Sequence, residues 1–274
     1  VISGFVKKNS NKIKTKNLSF SKLLPNIFTT IGLCTGLTGI RFALDSDWEN
    51  AVICILVAAC FDMIDGLSAR LLRAFSRFGA ELDSLADAIS FGVAPSIILF
   101  LWIKDSMNFN PPQEYEILGW YWIPFLLYTM CCAFRLARFN VMSQEELQKP
   151  KVSKNYFIGV PSPAAAGLVL LPMSVEFVCS RFRLPFDILD YSTILLLWVT
   201  LIAVLMISSL PTFSLRNVRL NISATKALPV LIVVCLIVAV FIKEMWVTLL
   251  AFGVIYLVSI PFSYIVLGEI FDPL

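Results

Sequence analysis

The sequence predicts an all-α membrane protein, a polytopic bundle of about eight transmembrane helices with both termini in the cytoplasm. Composition is the first reason: of 274 residues, 58% are hydrophobic and only 15% are charged, and the mean hydropathy is +0.82. Soluble domains carry roughly 25% charged residues. The second reason is a succession of apolar runs that approach the roughly 20 residues needed to cross a bilayer. The third is the collection of basic residues in alternate loops, as the positive-inside rule requires.

The predicted spans follow one another along one membrane domain, residues 24–274, with no long linker or internal repeat. Residues 1–23 precede it as a basic cytoplasmic segment with six Lys and no Asp or Glu. This segment either binds anionic lipid or serves only as a topology signal. The spans are Leu24–Ala43, Ala51–Arg70, Leu85–Ile103, Leu118–Leu136, Pro163–Val178, Tyr191–Leu210, Leu228–Ile242 and Trp246–Leu267.

Loop charges predict the orientation in the cell membrane. "DSDWEN" has no basic residue and "KDSMNFNPPQEYE" is mainly acidic, so both are expected outside. "RLARFNVMSQEELQKPKVSKNYF" and "RNVRLNISATK" are basic and are expected in the cytoplasm. "SRFRLPFDILD", with two Arg, is a mild exception outside.

Four aspartates at or near bilayer depth are the most informative feature. Asp62 and Asp65 are three residues apart near the cytoplasmic end of the second span, so they share a helix face. Asp83 and Asp87 are four apart at the start of the third span and also share a face. A short basic turn joins the two antiparallel spans, so the four carboxylates are expected to converge on one recess open to the cytoplasm.

Such a cluster needs positive partners, because ionised carboxylates are costly in a membrane and repel one another. The chain has no His, and its seven Cys, with Cys131 and Cys132 adjacent, lack metal-ligand spacing and are expected to be buried thiols. An all-carboxylate site suits Mg²⁺ or Mn²⁺, and two such ions would neutralise four Asp. Paired ions serve displacement at phosphorus. Clustering at one membrane face favours this chemistry over the alternative, a proton or cation path in a transporter.

Small and basic residues between the aspartates fit phosphate chemistry. Gly66 and Ala69 keep the helix surface low, and Arg70 can pair with a phosphate. Gly79 is suited to the turn. The structural alternatives are that the Arg residues of this loop are only positive-inside charges and that Gly79 is only a turn residue.

The full pattern is D-x-x-D-G-x-x-A-R-x8-G-x3-D-x3-D, from Asp62 to Asp87, without a departure. It resembles the signature of the CDP-alcohol phosphatidyltransferases. The resemblance implies a membrane-helix bundle, usually dimeric, that moves a phosphatidyl or phospho-alcohol group from a CDP-linked donor. It also implies that Asp62, Asp65 and Asp83 bind metal, and that Asp87 binds metal and acts as the general base. By the same resemblance Asp62, Gly66, Ala69, Arg70 and Gly79 face the CDP-lipid.

Three further segments are candidates for substrate contacts. In "LPNIFTT", Asn26 and Thr29 share a face and can hydrogen-bond the nucleotide or a metal-bound group, or they form an ordinary helix start. In "FRLARFN", Arg135 and Arg138 form an anion receptor or a snorkelling pair. In "GVPSPAAAG", Ser162 either contacts the acceptor or belongs to a helix entry built for close packing.

The chemistry of an Arg pair does not separate a serine carboxylate from the phosphate of glycerol 3-phosphate or inositol phosphate. Choline would need an aromatic cage instead. The order of "RLARFN", "GVPSPAAAG" and "SSLPTFS" resembles the bacterial and archaeal branch of the family that uses serine. The resemblance therefore implies L-serine and CDP-diacylglycerol as partners.

Overall fold

The computed structural model describes residues 20–72, 74, 76–106, 115–146, 156–185, 188–208, 210–213 and 224–271. Predicted features outside these residues include most of the lysine-rich segment, Arg73 and most of the two basic cytoplasmic loops.

The N-terminal half consists of two long helices and a third that changes its winding. Helices α1 (Phe20–Leu44) and α2 (Trp48–Leu71) form a tightly packed hairpin. Ser76 caps α3 (Arg77–Asp87), with its Oγ accepting from the Gly79 N–H at 2.9 Å. The same helix continues as a π-helical segment (Ala88–Val93) and then as α4 (Ala94–Ser106). Gly79, predicted to lie in the turn, therefore lies in the first turn of α3.

The described part of the C-terminal half contains six more helices and the two strands of one small sheet. The helices are α5 (Tyr115–Glu146), α6 (Ser162–Val169), α7 (Leu171–Phe182), α8 (Ser192–Ile207), α9 (Ala224–Lys243) and α10 (Met245–Phe271), with a 3-10 turn at Ile188–Tyr191.

Two short strands depart from the all-α prediction. Strand β1 (Tyr156–Ile158) pairs antiparallel with β2 (Pro211–Phe213), with Phe157 opposite Thr212. Gly159 follows β1 at φ 76°, and its N–H donates to the Leu210 carbonyl at 2.9 Å. A side chain at 159 would meet the Met206 carbonyl at 2.6 Å, so only glycine fits this close approach. Hydrophobic periodicity did not reveal the pairing, because it depends on two loops distant in sequence.

The core lies between α2, α4, α5, α6 and α8, where side chains such as Ile55, Leu99, Phe125 and Ile202 are buried. Many large apolar side chains, including Leu201 and Ile255, are instead exposed on the outer surface. That distribution suits a protein whose solvent is lipid, because lipid tails do not drive apolar groups inward.

Among the described residues, five helical stretches are long and apolar enough to cross a membrane, or six if the bent pair α6 and α7, kinked by 42°, counts as one span. A helix lies over each of the eight predicted spans, but α8, with 16 residues, is among the shorter apolar helices. The count of eight and the orientation of the termini stay predictions. The five stretches are Leu23–Leu44, Trp48–Leu71, Arg77–Ser106, Gly119–Met142 and Met245–Ser263.

Candidate active site

Three of the four aspartates meet where α2 faces α3. Asp62, Asp83 and Asp87 each offer a carboxylate oxygen within 4.8 Å of the others. Each side chain is partly buried, and one oxygen of Asp83 has no hydrogen-bond partner among the described residues. Three carboxylates this close repel one another unless cations lie between them.

The fourth aspartate is held slightly apart by α1. Asp65 is 5% exposed, and its Oδ2 accepts a hydrogen bond from the Thr29 hydroxyl at 2.6 Å. Asp65 and Asp83 both line the space beside the cluster. All four carboxylates therefore face one recess, and Asp65 is the one that the Thr29 hydroxyl of α1 holds.

The donor set fits the predicted divalent metal. Every candidate ligand is a carboxylate oxygen, which is the type of ligand that Mg²⁺ and Mn²⁺ prefer. The unpartnered Asp83 oxygen is buried, and such an atom is costly unless a cation or a donor reaches it.

A cavity of about 270 Å³ opens beside the cluster, between α1, α2 and α3. The structure brings the predicted CDP-lipid residues together here, with the exception of Asp62, which lines the smaller space beneath the cluster. The residues predicted for this function that line the larger cavity are Asn26, Thr29, Gly66, Ala69, Arg70 and Gly79. Arg70 is exposed, and its Nε donates to the Gly66 carbonyl at 2.9 Å, which directs the guanidinium along the cavity wall.

Arg135 and Arg138 were predicted from the sequence to act together as an anion receptor or a snorkelling pair. In the structure they have different surroundings. The Arg135 Nη1 donates to the Ser162 Oγ at 2.6 Å, and Ser162 is fully buried. The Arg135 guanidinium also interacts electrostatically with Asp87, and its Nε has no partner among the described residues. Arg138 donates instead to the Ile207 carbonyl at 3.2 Å, at the end of α8. Arg135 thus lies on the aspartate side of α5, while Arg138 ties α5 to α8.

Sequence reasoning missed several residues that hold the site together. Ser76, the N-cap of α3, stands three residues before Gly79, and a Ser before a helical run is a recognisable start signal. Asn140 exchanges hydrogen bonds with Ser84, the residue after Asp83, at 2.8 and 3.2 Å. Phe139 lines the larger cavity. No sequence signal pairs Asn140 with Ser84, because 56 residues separate them.

Comparison with known proteins shows the family to which the chain belongs. The family model for CDP-alcohol phosphatidyltransferase matches residues 22–205, and a second, CDP-alcohol phosphatidyltransferase 2, matches residues 227–261. A Mycobacterium tuberculosis protein named CDP-diacylglycerol–serine O-phosphatidyltransferase is 34% identical over 250 residues, covering 88% of this chain and 78% of the relative.

Two further relatives bear the same name. The Mycobacterium leprae protein is 37% identical over 199 residues, which cover 72% of this chain and 60% of the relative. The Helicobacter pylori protein is 34% identical over 204 residues, which cover 73% and 75%. The first family match includes the aspartate cluster, the cavity beside it and Arg135 with Ser162. The resemblance seen in the sequence is thus confirmed, and this membrane protein belongs to the CDP-alcohol phosphatidyltransferase family.

Proposed function

We propose that the protein transfers the phosphatidyl group of CDP-diacylglycerol to L-serine, giving phosphatidylserine and CMP. The observation that carries the serine acceptor is the position of Arg135. Its guanidinium is held by buried Ser162, interacts with Asp87 and retains an unpartnered buried Nε among the described residues. A carboxylate bound there would lie beside the general base. The names of the relatives support the same acceptor for those proteins.

The donor binds in the 270 Å³ cavity, with its diphosphate toward the aspartates. Arg70 and the side chains of Asn26 and Thr29 supply polar contacts along that path. Gly66 and Ala69 have small side chains, or none, so the nucleotide can approach the α2 backbone closely.

Asp62, Asp65, Asp83 and Asp87 would hold two Mg²⁺ or Mn²⁺ ions, and the charge of these ions would offset that of the diphosphate and of the departing CMP. Asp87 takes the proton of the serine hydroxyl. The hydroxyl oxygen forms a bond to the phosphorus that bears diacylglycerol, and the bond from that phosphorus to the CMP oxygen breaks. Arg135 and Ser162 orient the serine carboxylate, and Arg138 keeps α5 against α8.

The direct test measures CMP release by purified protein with CDP-diacylglycerol and a panel of labelled alcohols: L-serine, glycerol 3-phosphate, inositol phosphate and choline. L-Serine should give the highest kcat/KM and a labelled phosphatidylserine. A preference for another alcohol would refute the acceptor. Ion flux in sealed vesicles without any CMP release would refute the enzyme and favour the transporter.

We expect Arg135→Ala to raise the KM for serine by at least about tenfold, a cost near 1.4 kcal/mol. The reason is that a carboxylate in a partly dehydrated pocket loses its charge partner. The KM for CDP-diacylglycerol should change little. L-Serine methyl ester, which lacks the carboxylate charge, should be a poor substrate for the parent, and much of that disadvantage should vanish in the variant.

The control for this prediction is Arg41→Ala, which removes an exposed cation at the far end of α1. It should leave both KM values unchanged. Arg138→Ala is expected to raise the serine KM as well, since the loss of its bond to the Ile207 carbonyl loosens α5 beside Arg135. If the Arg135 variant keeps the serine KM and instead loses donor affinity, Arg135 belongs to the CDP-lipid site.

Gly79→Ala should raise the KM for CDP-diacylglycerol by about fivefold, near 1 kcal/mol. A Cβ at this position would lie 2.8 Å from the Asn26 Oδ1 and 2.9 Å from the Ser76 Oγ, so the Asn26 side chain must move within the donor cavity. Steady-state kinetics with varied donor checks this. Gly119→Ala is the matched control, because nothing lies within 4 Å of its added methyl group. An unchanged donor KM in the Gly79 variant would remove Asn26 from the nucleotide path.

We also propose that residues 24–274 form one membrane domain of eight spans and residues 1–23 a basic cytoplasmic segment. Both termini and the active site would face the cytoplasm across the cell membrane, and the protein would form a homodimer, as the family resemblance implies. Basic residues concentrated on the side of Arg70, Arg77, Arg135 and Arg138 support this orientation.

A further inference from the structure

The helix that carries Asp83 and Asp87 changes its winding directly after Asp87. In the π-helical segment Ala88–Val93 each backbone hydrogen bond joins residues that are one position further apart along the chain than in an α-helix. The Ala94 N–H, for example, donates to the Ile89 carbonyl. Pro95 is the physical cause visible in the sequence. It has no N–H to give the Phe91 carbonyl four residues earlier, and its ring would clash with that carbonyl in a regular α-helix.

Helix α5 donates side-chain hydrogen bonds to two carbonyls of this segment. The Tyr128 hydroxyl donates to the Phe91 carbonyl at 2.7 Å, and Tyr128 is fully buried. The Thr129 hydroxyl donates to the Gly92 carbonyl at 3.2 Å and lies 3.0 Å from the Ser96 Oγ. Two consecutive residues of α5 thus bind two consecutive carbonyls of the π-helical segment.

The one additional residue in the π-helical turn determines the direction in which the Asp83 and Asp87 side chains point. One added residue rotates the start of the helix by about 100° relative to its continuation. With that rotation, Asp83 and Asp87 face Asp62 while Ile98 and Leu99 of α4 stay in the core. Helix α1 packs closely against the same segment, since a Cβ at Gly36 would lie 2.7 Å from the Ser90 Oγ.

We propose that Tyr128 is a positioning residue for catalysis. By bonding the Phe91 carbonyl it stabilises the π-helical winding that aims Asp87 and Asp83 at Asp62. The kinetic part rests on the proposed function, whereas the effect on the geometry of the carboxylate cluster does not. Tyr128 itself lines neither of the two cavities beside the aspartates.

The test compares Tyr128→Phe with Tyr121→Phe in the full chain purified in detergent. Tyr121 lies two turns earlier on α5, and its hydroxyl pairs with the Ser192 Oγ at 3.3 Å, so the control loses the same group away from the π-helical segment. Mn²⁺ alone is titrated and the free ion is followed by electron paramagnetic resonance. CMP release gives kcat and both KM values, and thermal unfolding gives Tm.

Tyr128→Phe should weaken Mn²⁺ binding by about tenfold and lower kcat by about tenfold or more, since small misplacements of reacting groups are costly. Both KM values should stay within about twofold, because the substrate contacts remain. Tyr121→Phe should match the parent in Mn²⁺ affinity and kcat. A Tyr128 variant with a lower Tm but the parent's Mn²⁺ affinity and kcat would overturn the proposal and leave only a structural role.

If Tyr128→Phe does not fold, Thr129→Val decides the same question, with an expected weakening of Mn²⁺ binding of about threefold. Parent-like binding in that variant would then overturn the proposal. A parent protein that binds Mn²⁺ but releases no CMP would refute the proposed function alone, because the Mn²⁺ titration still decides the role of Tyr128.

Discussion

Asp87→Asn is expected to lower kcat for CMP release by at least about a thousandfold, within the range attributed to a general base. Asparagine keeps the size of the side chain but cannot accept the proton of the serine hydroxyl. It also removes one of the three carboxylates that lie within 4.8 Å of one another. The measurement is CMP release under saturating CDP-diacylglycerol and serine.

Glu81→Gln is the matched control, since it neutralises an exposed carboxylate on the same helix α3 and should keep the parent rate.

Asp62→Asn and Asp83→Asn should also lose most activity while the protein still inserts in the membrane. Asp65→Asn separates charge from hydrogen bonding, because its amide oxygen can still accept from Thr29. Near-parent rates in any of these variants would remove that aspartate from the site.

Removal of divalent cations by excess chelator is expected to abolish CMP release, and Mg²⁺ or Mn²⁺ should restore it. The aspartate cluster is built from carboxylate oxygens, and the only cation shown near Asp87 among the described side chains is Arg135. One guanidinium cannot balance four carboxylates and an incoming diphosphate. Full turnover in chelator would contradict the mechanism.

The same prediction has a readout that does not depend on turnover. Mn²⁺ at about a hundred times its Kd should stabilise the folded protein by about 2.7 kcal/mol, seen as a rise in Tm. Asp83→Asn should lose most of that rise, because it removes the buried oxygen left without a partner. Glu81→Gln should keep it. An equal rise in the Asp83 variant would place the metal elsewhere.

The convergence of the aspartates followed from spacing alone, whereas the reaction class came from the resemblance of the full motif to the family signature. Asp62 and Asp65 at three residues, and Asp83 and Asp87 at four, are bound to share helix faces whatever the rest of the chain does. Their joining turn is too short for the two helices to separate, so the convergence of Asp62, Asp83 and Asp87 was predictable. The lack of His in the sequence likewise directed the choice toward hard cations.

Other parts of the site depended on contacts between distant segments. The sequence placed Arg135 and Arg138 on one face, and only the packing of α5 against α6 and α8 separates their partners, Ser162 and Ile207. It predicted that Thr29 lies at the substrate site, but not that its hydroxyl holds Asp65. Side-chain partners 27 to 69 residues apart leave no periodic signal in the chain.

By itself, then, the sequence determined the membrane class, the helical architecture and the aspartate motif, because hydropathy and helical spacing are properties of one continuous stretch of chain. Tertiary structure alone decided the pairing of β1 with β2 and the separate surroundings of the two arginines. It also decided how Tyr128 supports the π-helical winding behind Asp87. Pro95 indicates from the sequence that the regular α-helical bonding is interrupted there. Which hydroxyl then donates to the Phe91 carbonyl depends on how α5 packs against that helix.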